Sequence, residues 1–343
     1  MLQTPVCLII FNRPDTTARV FAEIAKARPA QLLVVADGPR PDRPEEAERC
    51  AEARAIVERV DWECEVLKNY SSVNLGCGRR PASGISWVFE QVEEAIILED
   101  DCVPLPSFFR FCEELLKRYR HDERVRCISG INLEPKLRSR WFSYRFSHFN
   151  LCLGWATWRR AWQDYDFLLG RWPALRKTSW LRDILEDPRA VELYAKGFDR
   201  AYESAGEVDY WDYQWTFACW AQKGLSILPS TGLVRNIGFG PDATHTTSIH
   251  DRRAFLPVRD ITFPLRHPTY VHRARKADQR LTRSITLLNQ PEEPGGLAWL
   301  RRRYQEILTR HPSLKSPRDL SRRLGERCST AMGRVAGKWT GSL

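Results

Sequence analysis

The chain of 343 residues is 43% hydrophobic and 28% charged, an ordinary globular composition with material for a sizeable core. No apolar run approaches the roughly 20 residues that a spanning helix needs, which excludes a helical membrane protein. The net charge of +10 belongs to the tail: Val271 to Leu343 holds 16 Lys and Arg against 6 Asp and Glu, while everything before it holds 37 of each sign. A neutral body argues against a nucleic-acid-binding module.

The N-terminal "MLQTPVCLIIFNRPD" has no basic leader region, and its apolar stretch reads as a first strand rather than a signal peptide. "RPDTTARVFAEIAKA" follows, with Val20, Phe21, Ile24 and Ala25 at helical spacing. "QLLVVA" is a second strand, ending at the turn signal Asp37-Gly38-Pro39. "RPEEAERCAEARAIVERV" is a helix with Pro44 near its first turn and acidic residues after it. "ECEVLKN" is a third strand. "NLGCGRRPASGIS" supplies glycines and arginines ahead of a helix, "GISWVFEQVEE", which leads into the strand "AIIL". After an acidic loop come the helix "LPSFFRFCEELLKRY" and the strand "VRCISGIN". Strands alternating with helices predict a mainly parallel sheet covered on both faces, with ligands bound beyond the carboxyl ends of the strands.

From about Trp141 the character changes to shorter, aromatic-rich elements, in keeping with 13 Trp in the chain. "LCLGWATWRRAW" reads as a loop entering a helix. "YWDYQWTFACWAQKG" places Trp211, Trp215, Ala218 and Cys219 on one helical face. "LSILPS" and "GLVRNIGFG" read as strands. After His267 the chain is basic and helical, with "PEEPGG" as a linker. The ten cysteines stand singly, without a C-x-x-C pair or a His-rich cluster, as expected of a reduced, cytoplasmic protein.

The fourth strand runs straight into Glu99, Asp100 and Asp101. Three adjacent carboxylates repel one another, so the loop needs solvation or a bound cation. "FNRP" after the first strand, "ADG" after the second, "EDD" after the fourth, and then "GWATW", "YWDYQW" and "ATH" in that order resemble the nucleotide-diphospho-sugar transferases of the GT-A fold. More narrowly, they are similar to N-acetylglucosaminyltransferase I and related bacterial glycosyltransferases, over Pro5 to His250.

The resemblance implies a GT-A-like, Rossmann-type α/β fold. Its mixed, mainly parallel sheet is flanked by helices in a domain over 1–267, with a nucleotide-sugar half over 1–135 and an acceptor half over 136–267. A basic helical extension over 268–343 would follow. It also implies a metal-dependent, inverting glycosyltransferase with Mn²⁺ or Mg²⁺ at a D-x-D-like motif. The donor would be a nucleotide-diphosphate sugar, a UDP-sugar foremost, and the acceptor a saccharide or lipid-linked saccharide. By the same resemblance Asp101 is the direct metal ligand, Asp100 reaches the ribose or a metal-bound water, and Glu99 bonds the donor sugar. Arg13 and Asp37 would line the nucleotide pocket, and Asp212 would be the general base, although one extra residue separates it from Trp215 relative to the family's W-D-x-W. His245 would contact the diphosphate or add a metal ligand, and Arg79 and Arg80 would neutralise the diphosphate.

Blander readings stand beside these. Asp37 is also plain turn chemistry, and Arg13 a surface charge. Asp209 and Asp212 are also a helix cap and a first-turn acid. Trp155, Trp158 and Trp211 suit sugar stacking and core packing about equally. The alternatives to a glycosyltransferase are a sugar-1-phosphate nucleotidyltransferase, which needs a glycine-rich basic loop that "FNRPD" lacks, and a non-enzymatic nucleic-acid-binding protein. The tail is expected to touch an anionic membrane at its inner face, with no nucleic-acid partner.

Overall fold

The computed structural model describes residues 1–134, 141–204, 207–239 and 256–288. Within them the chain forms β1 (Val6–Ile10), α1 (Pro14–Ala27), β2 (Gln31–Ala36), α2 (Glu46–Val57), β3 (Glu65–Tyr70), α3 (Gly76–Gln91), β4 (Glu94–Glu99), β5 (Cys102–Pro104), α4 (Pro106–Tyr119) and β6 (Val125–Ser129). There follow β7 (Tyr144–Ser147), β8 (Trp155–Trp158), α5 (Arg159–Trp162), α6 (Trp172–Arg176), α7 (Trp180–Leu185), α8 (Pro188–Glu203), α9 (Asp212–Ala221), β9 (Leu225–Pro229), β10 (Val234–Asn236) and α10 (Arg275–Leu288).

One eight-stranded sheet has the order β3-β2-β1-β4-β8-β6-β9-β7, and β5 pairs with β10 in a two-stranded ribbon. The pairs β3–β2, β2–β1, β1–β4 and β6–β9 are parallel, while β8 runs antiparallel to both β4 and β6, and β7 antiparallel to β9. The sheet is therefore mixed and mainly parallel, with helices on both faces, as the alternating pattern predicts.

The period of two sorts each strand between two cores. Val6, Leu8 and Ile10 of β1 join Leu32 and Val34 in a cluster with α1, α2 and α4. Cys7 and Ile9 join Leu33 and Val35 in a second cluster with α3 and the aromatic helices. Helix α1 turns Thr17, Val20, Phe21 and Ile24 inward, at the helical spacing read from the sequence.

Two readings need correction. "GWATW" is not a loop: Trp155–Trp158 is β8, inserted between β4 and β6, where its alternate residues face both cores. The glycine- and arginine-rich segment does not precede α3 but opens it, because the helix begins at Gly76 and carries Pro81 inside it. Strand β7 was not anticipated. The first compact unit is Met1–Leu288, and the second, Asn289–Leu343, lies outside the described residues. Helix α10 belongs with the body through its buried Asp278, which accepts from Ser147 Oγ at 2.6 Å, the His148 N–H at 3.0 Å and Arg273 Nε at 2.8 Å.

Candidate active site

Strand register assembles the site. Ile10 lies opposite Ala36, and Ile9 opposite Glu99, so the residues that follow β1, β2 and β4 emerge at one edge of the sheet. Those residues include Arg13, Asp37, Asp100 and Asp101.

The Arg13 guanidinium reaches the acidic turn. Its Nη2 donates to Asp100 Oδ1 and, at 3.2 Å, to Asp101 Oδ2. The Phe11 N–H donates to the other Asp100 oxygen at 3.4 Å. Asp100 is thus buried and neutralised, with 4% of its side chain exposed, whereas Asp101 keeps 14% and is the reachable carboxylate. Although burial pulls the Arg13 pKa down, Asp100 and then Asp101 push it above its ordinary value. Burial raises the pKa of Glu99, and repulsion from Asp101 and Asp100 raises it further. Burial also raises Asp100, against the pull of Arg13. One guanidinium faces three carboxylates, so the turn carries an excess of acidic groups over the single cation paired with it.

The donor set fits Mg²⁺ or Mn²⁺, hard ions that take carboxylate oxygens and fill their shell from water and substrate oxygens. Among the described residues no group of three His, Cys, Asp or Glu is arranged to hold a metal alone. An ion at Asp101 would therefore depend on ligands from the substrate or solvent.

Asp37 is placed at the edge but turned inward. Its oxygens accept from the N–H groups of Gly38 at 2.9 Å, Leu75 at 2.9 Å and Gly76 at 3.0 Å, and from Asn74 Nδ2 at 3.1 Å. Burial raises its pKa, and the bonds from Leu75, Gly38 and Gly76 oppose that rise. It anchors the start of α3, a role for which the helix N-terminus suits a carboxylate. Arg80 is likewise committed to the protein: buried, it donates from Nε to the Ala36 carbonyl at 3.1 Å and from Nη2 to the Asn69 carbonyl and, at 2.7 Å, Asn69 Oδ1. It ties the ends of β2 and β3 together rather than facing a diphosphate. Arg79 is exposed and lies over the Phe167 ring, 5.9 Å from its centroid.

The ribbon of β5 and β10 carries a backbone cradle over the acidic turn. Asn236 pairs with Cys102, and the Ile237 N–H donates to the Asp101 carbonyl at 2.9 Å. A Cβ at Gly238 would come within 2.0 Å of Asp101 Oδ2, so a larger residue there would have to push the Asp101 carboxylate aside. Sequence reading passed over Gly238, although two glycines close after a strand were the available signal. His245, further along that segment, lies outside the described residues.

Asp212 reaches the same neighbourhood from the second half of the chain. It is exposed, at the first position of α9, and its Oδ1 accepts the Tyr213 N–H at 3.1 Å. Its charge also adds to the upward shift of Glu99, so the two carboxylates share one electrostatic environment. The cap position belongs to Trp211 and not to Asp209, and Trp211 makes no side-chain cap bond. The start of α9 is held by close backbone packing: Cys77 Sγ lies 3.0 Å from the Asp209 carbonyl, and a Cβ at Gly78 would meet the Val208 oxygen at 2.1 Å.

Of the two readings open for the tryptophans, sugar stacking and core packing, the structure shows the second. Trp155, Trp158 and Trp211 are 1%, 2% and 5% exposed, which leaves no ring face for a ligand. Trp155 stacks on Trp211 with centroids 5.6 Å apart, and Trp162 lies 5.1 Å from Trp215. The partly exposed aromatics near Asp212 are Tyr210 and Tyr213, 5.2 Å apart.

Fold and site together define a mixed α/β protein with a carboxylate-rich edge beyond its parallel strands. No family model matches the chain, and no curated protein matches it in sequence. Among solved structures it is similar to UDP-glucose pyrophosphorylase in complex with UDP-glucose, at 9% identity, 47% coverage of this chain, 79% coverage of that chain and a TM-score of 0.27. A likeness that distant carries no argument about activity, so function rests on the site.

Proposed function

We propose that the protein is a metal-dependent, inverting glycosyltransferase that moves a sugar from a nucleotide diphosphate to a saccharide or lipid-linked saccharide. What supports this reading above all is the pairing of Arg13 with the Glu99-Asp100-Asp101 turn at the carboxyl edge of the sheet, with Asp212 near enough for its charge to act on Glu99. Asp101 would hold Mn²⁺ or Mg²⁺, which, when bound, stabilises the charge that develops on a departing diphosphate. Arg13 fixes the turn by pairing Asp100 and, more loosely, Asp101, which keeps the larger exposed share of the two. Glu99, held toward its protonated form by burial and by its acidic neighbours, is suited to donate a hydrogen bond to a sugar hydroxyl. Asp212, exposed at a helix start, accepts the proton of the attacking acceptor hydroxyl as the glycosidic bond forms. Tyr210 and Tyr213 supply the sugar-packing face, and Asp37 acts through its hold on α3.

The nucleotidyltransferase alternative requires a glycine-rich phosphate loop after β1, whereas Phe11, Asn12 and Arg13 alone join β1 to α1. The discriminating experiment screens nucleotide sugars by thermal shift with and without Mn²⁺, then assays the released product. Nucleoside diphosphate release that depends on Mn²⁺ and disappears in Asp101→Ala supports transfer. Pyrophosphate release from a nucleoside triphosphate and a sugar phosphate would establish the alternative, and undiminished transfer in EDTA would remove the metal.

A further inference from the structure

Strand β7 is the last in the sheet, and its outer side is lined by the segment that leads to α10. The Ser143 N–H donates to the Arg266 carbonyl at 2.8 Å, and Tyr144 Oη meets His267 Nδ1 at 2.9 Å. Further along, Phe146 bridges Arg273, and the Ala274 N–H donates to the Phe146 carbonyl at 2.9 Å. Between these anchors β7 advances from 143 to 146 while the covering segment advances from 266 to 273, so 267–272 bows outward. Tyr270 in this bow is 72% exposed, and Trp141 and Phe142, just before β7, are 77% and 38% exposed. Nowhere else among the described residues is an indole so open to solvent; apart from Tyr202, the other large exposed apolar side chains are aliphatic.

The same region is strongly basic. From Leu256 to Leu288 there are seven Arg and Lys against two Asp, and one of these, Asp278, is buried. Arg266, Arg275, Lys276, Arg280 and Arg283 are exposed. Among the described residues, the acids that meet this segment from other elements are Glu114, 3.4 Å from His267 Nε2, Glu186, which accepts from Arg275 at 2.9 Å, and Glu134, which accepts from Ser284 Oγ, so the basic surplus is reduced but not removed. An exposed phenol on the outward bow and an exposed indole just before β7, beside a segment whose described residues carry a basic surplus, match the headgroup layer of a bilayer, where amphipathic rings settle and anionic lipids attract cations. Single-stranded nucleic acid would instead call for a groove lined with stacking faces.

We propose that this aromatic, basic sheet edge docks the body of the protein on an anionic membrane surface, through contacts separate from any made by the tail after residue 288. The test is co-sedimentation of the full-length protein with phosphatidylcholine vesicles and with mixed phosphatidylcholine–phosphatidylglycerol vesicles, at low and high salt. Binding is expected to the mixed vesicles alone, weakening with salt. Trp141→Ala combined with Tyr270→Ala should weaken it about tenfold at an unchanged melting temperature, and Lys276→Glu combined with Arg280→Glu at least as much. Trp141→Phe with Tyr270→Phe should retain most of it, which separates a lost interfacial ring from a lost fold. The proposal falls if full-length protein ignores the mixed vesicles, if the double alanine variant binds them as well as the parent does, or if a single-stranded oligonucleotide displaces the vesicles through the same aromatic residues.

Discussion

The stretch from β1 to β4 and the stretch from β8 to α9 bury their interiors by different means. In the first, aliphatic strands fill both faces, and polar groups are held at the strand ends by Arg13, Arg80 and backbone N–H groups. In the second, indoles are the interior: Trp155, Trp215 and Trp220 are 1%, 0% and 2% exposed. The difference teaches where function and stability separate. At the acidic edge the accessible carboxylates, Asp101 and Asp212, sit outside the apolar core, so either can be changed without opening it. In the aromatic half, a residue type associated with sugar binding is the core itself.

The largest effect that sharpens this contrast is expected at Asp212. Asp212→Asn keeps size while losing basicity, so turnover should fall by about 10²–10⁴-fold with donor binding and melting temperature nearly unmoved. Near-normal turnover would make Asp212 a first-turn acid and nothing more. In the aromatic half, Trp215→Ala should cost about 3–5 kcal/mol in urea unfolding; a stable Trp215→Ala protein with impaired acceptor binding would break the comparison.

Arg13 tests the boundary between the two behaviours. Arg13→Ala leaves Asp100 buried beside two other carboxylates, and a broken buried pair costs about 3–5 kcal/mol. Adding Asp100→Asn should recover most of that stability without recovering activity. If Arg13→Ala alone melts like the parent, the pair is already solvated.

The smallest effect is a pH dependence far from the acidic edge. Burial, aided by Arg273, lowers the His148 pKa from 6.5 to about 4. The unfolded chain then binds the proton more tightly than the folded one. The associated stability is complete above pH 6.5 and is lost as pH falls toward 4, about 3 kcal/mol in all. His148→Gln should flatten that part of the stability–pH curve relative to the parent; identical curves would show that the imidazole is not sealed from water.

Much of the first half was legible because local signals agreed there. Apolar runs of five or six residues, acidic first turns and Asp-Gly-Pro each mark an element or its end, and placing Asp37 and the acidic triplet at strand ends needed only that order. The second half was less legible because its signals are ambiguous. Four residues, Trp-Ala-Thr-Trp, are too few to show a period, and aromatic residues suit a ligand face as well as a core. Arg80 was misread for a related reason: an arginine next to glycines carries no mark of whether its guanidinium will meet a phosphate or two strand-end carbonyls.

By itself, the sequence determined the alternation of strands and helices, and with it a covered, mainly parallel sheet whose carboxylates gather at one edge, because periodicity and turn chemistry act within a few residues. Only the tertiary structure decided that β8 enters the sheet antiparallel between β4 and β6, and that Gly238 comes down over Asp101. It also decided that Gly78 brings the start of α9 to α3 and that the tryptophans turn inward. These outcomes depend on which distant surfaces meet and exclude water from each other, and no short stretch of chain encodes its partner.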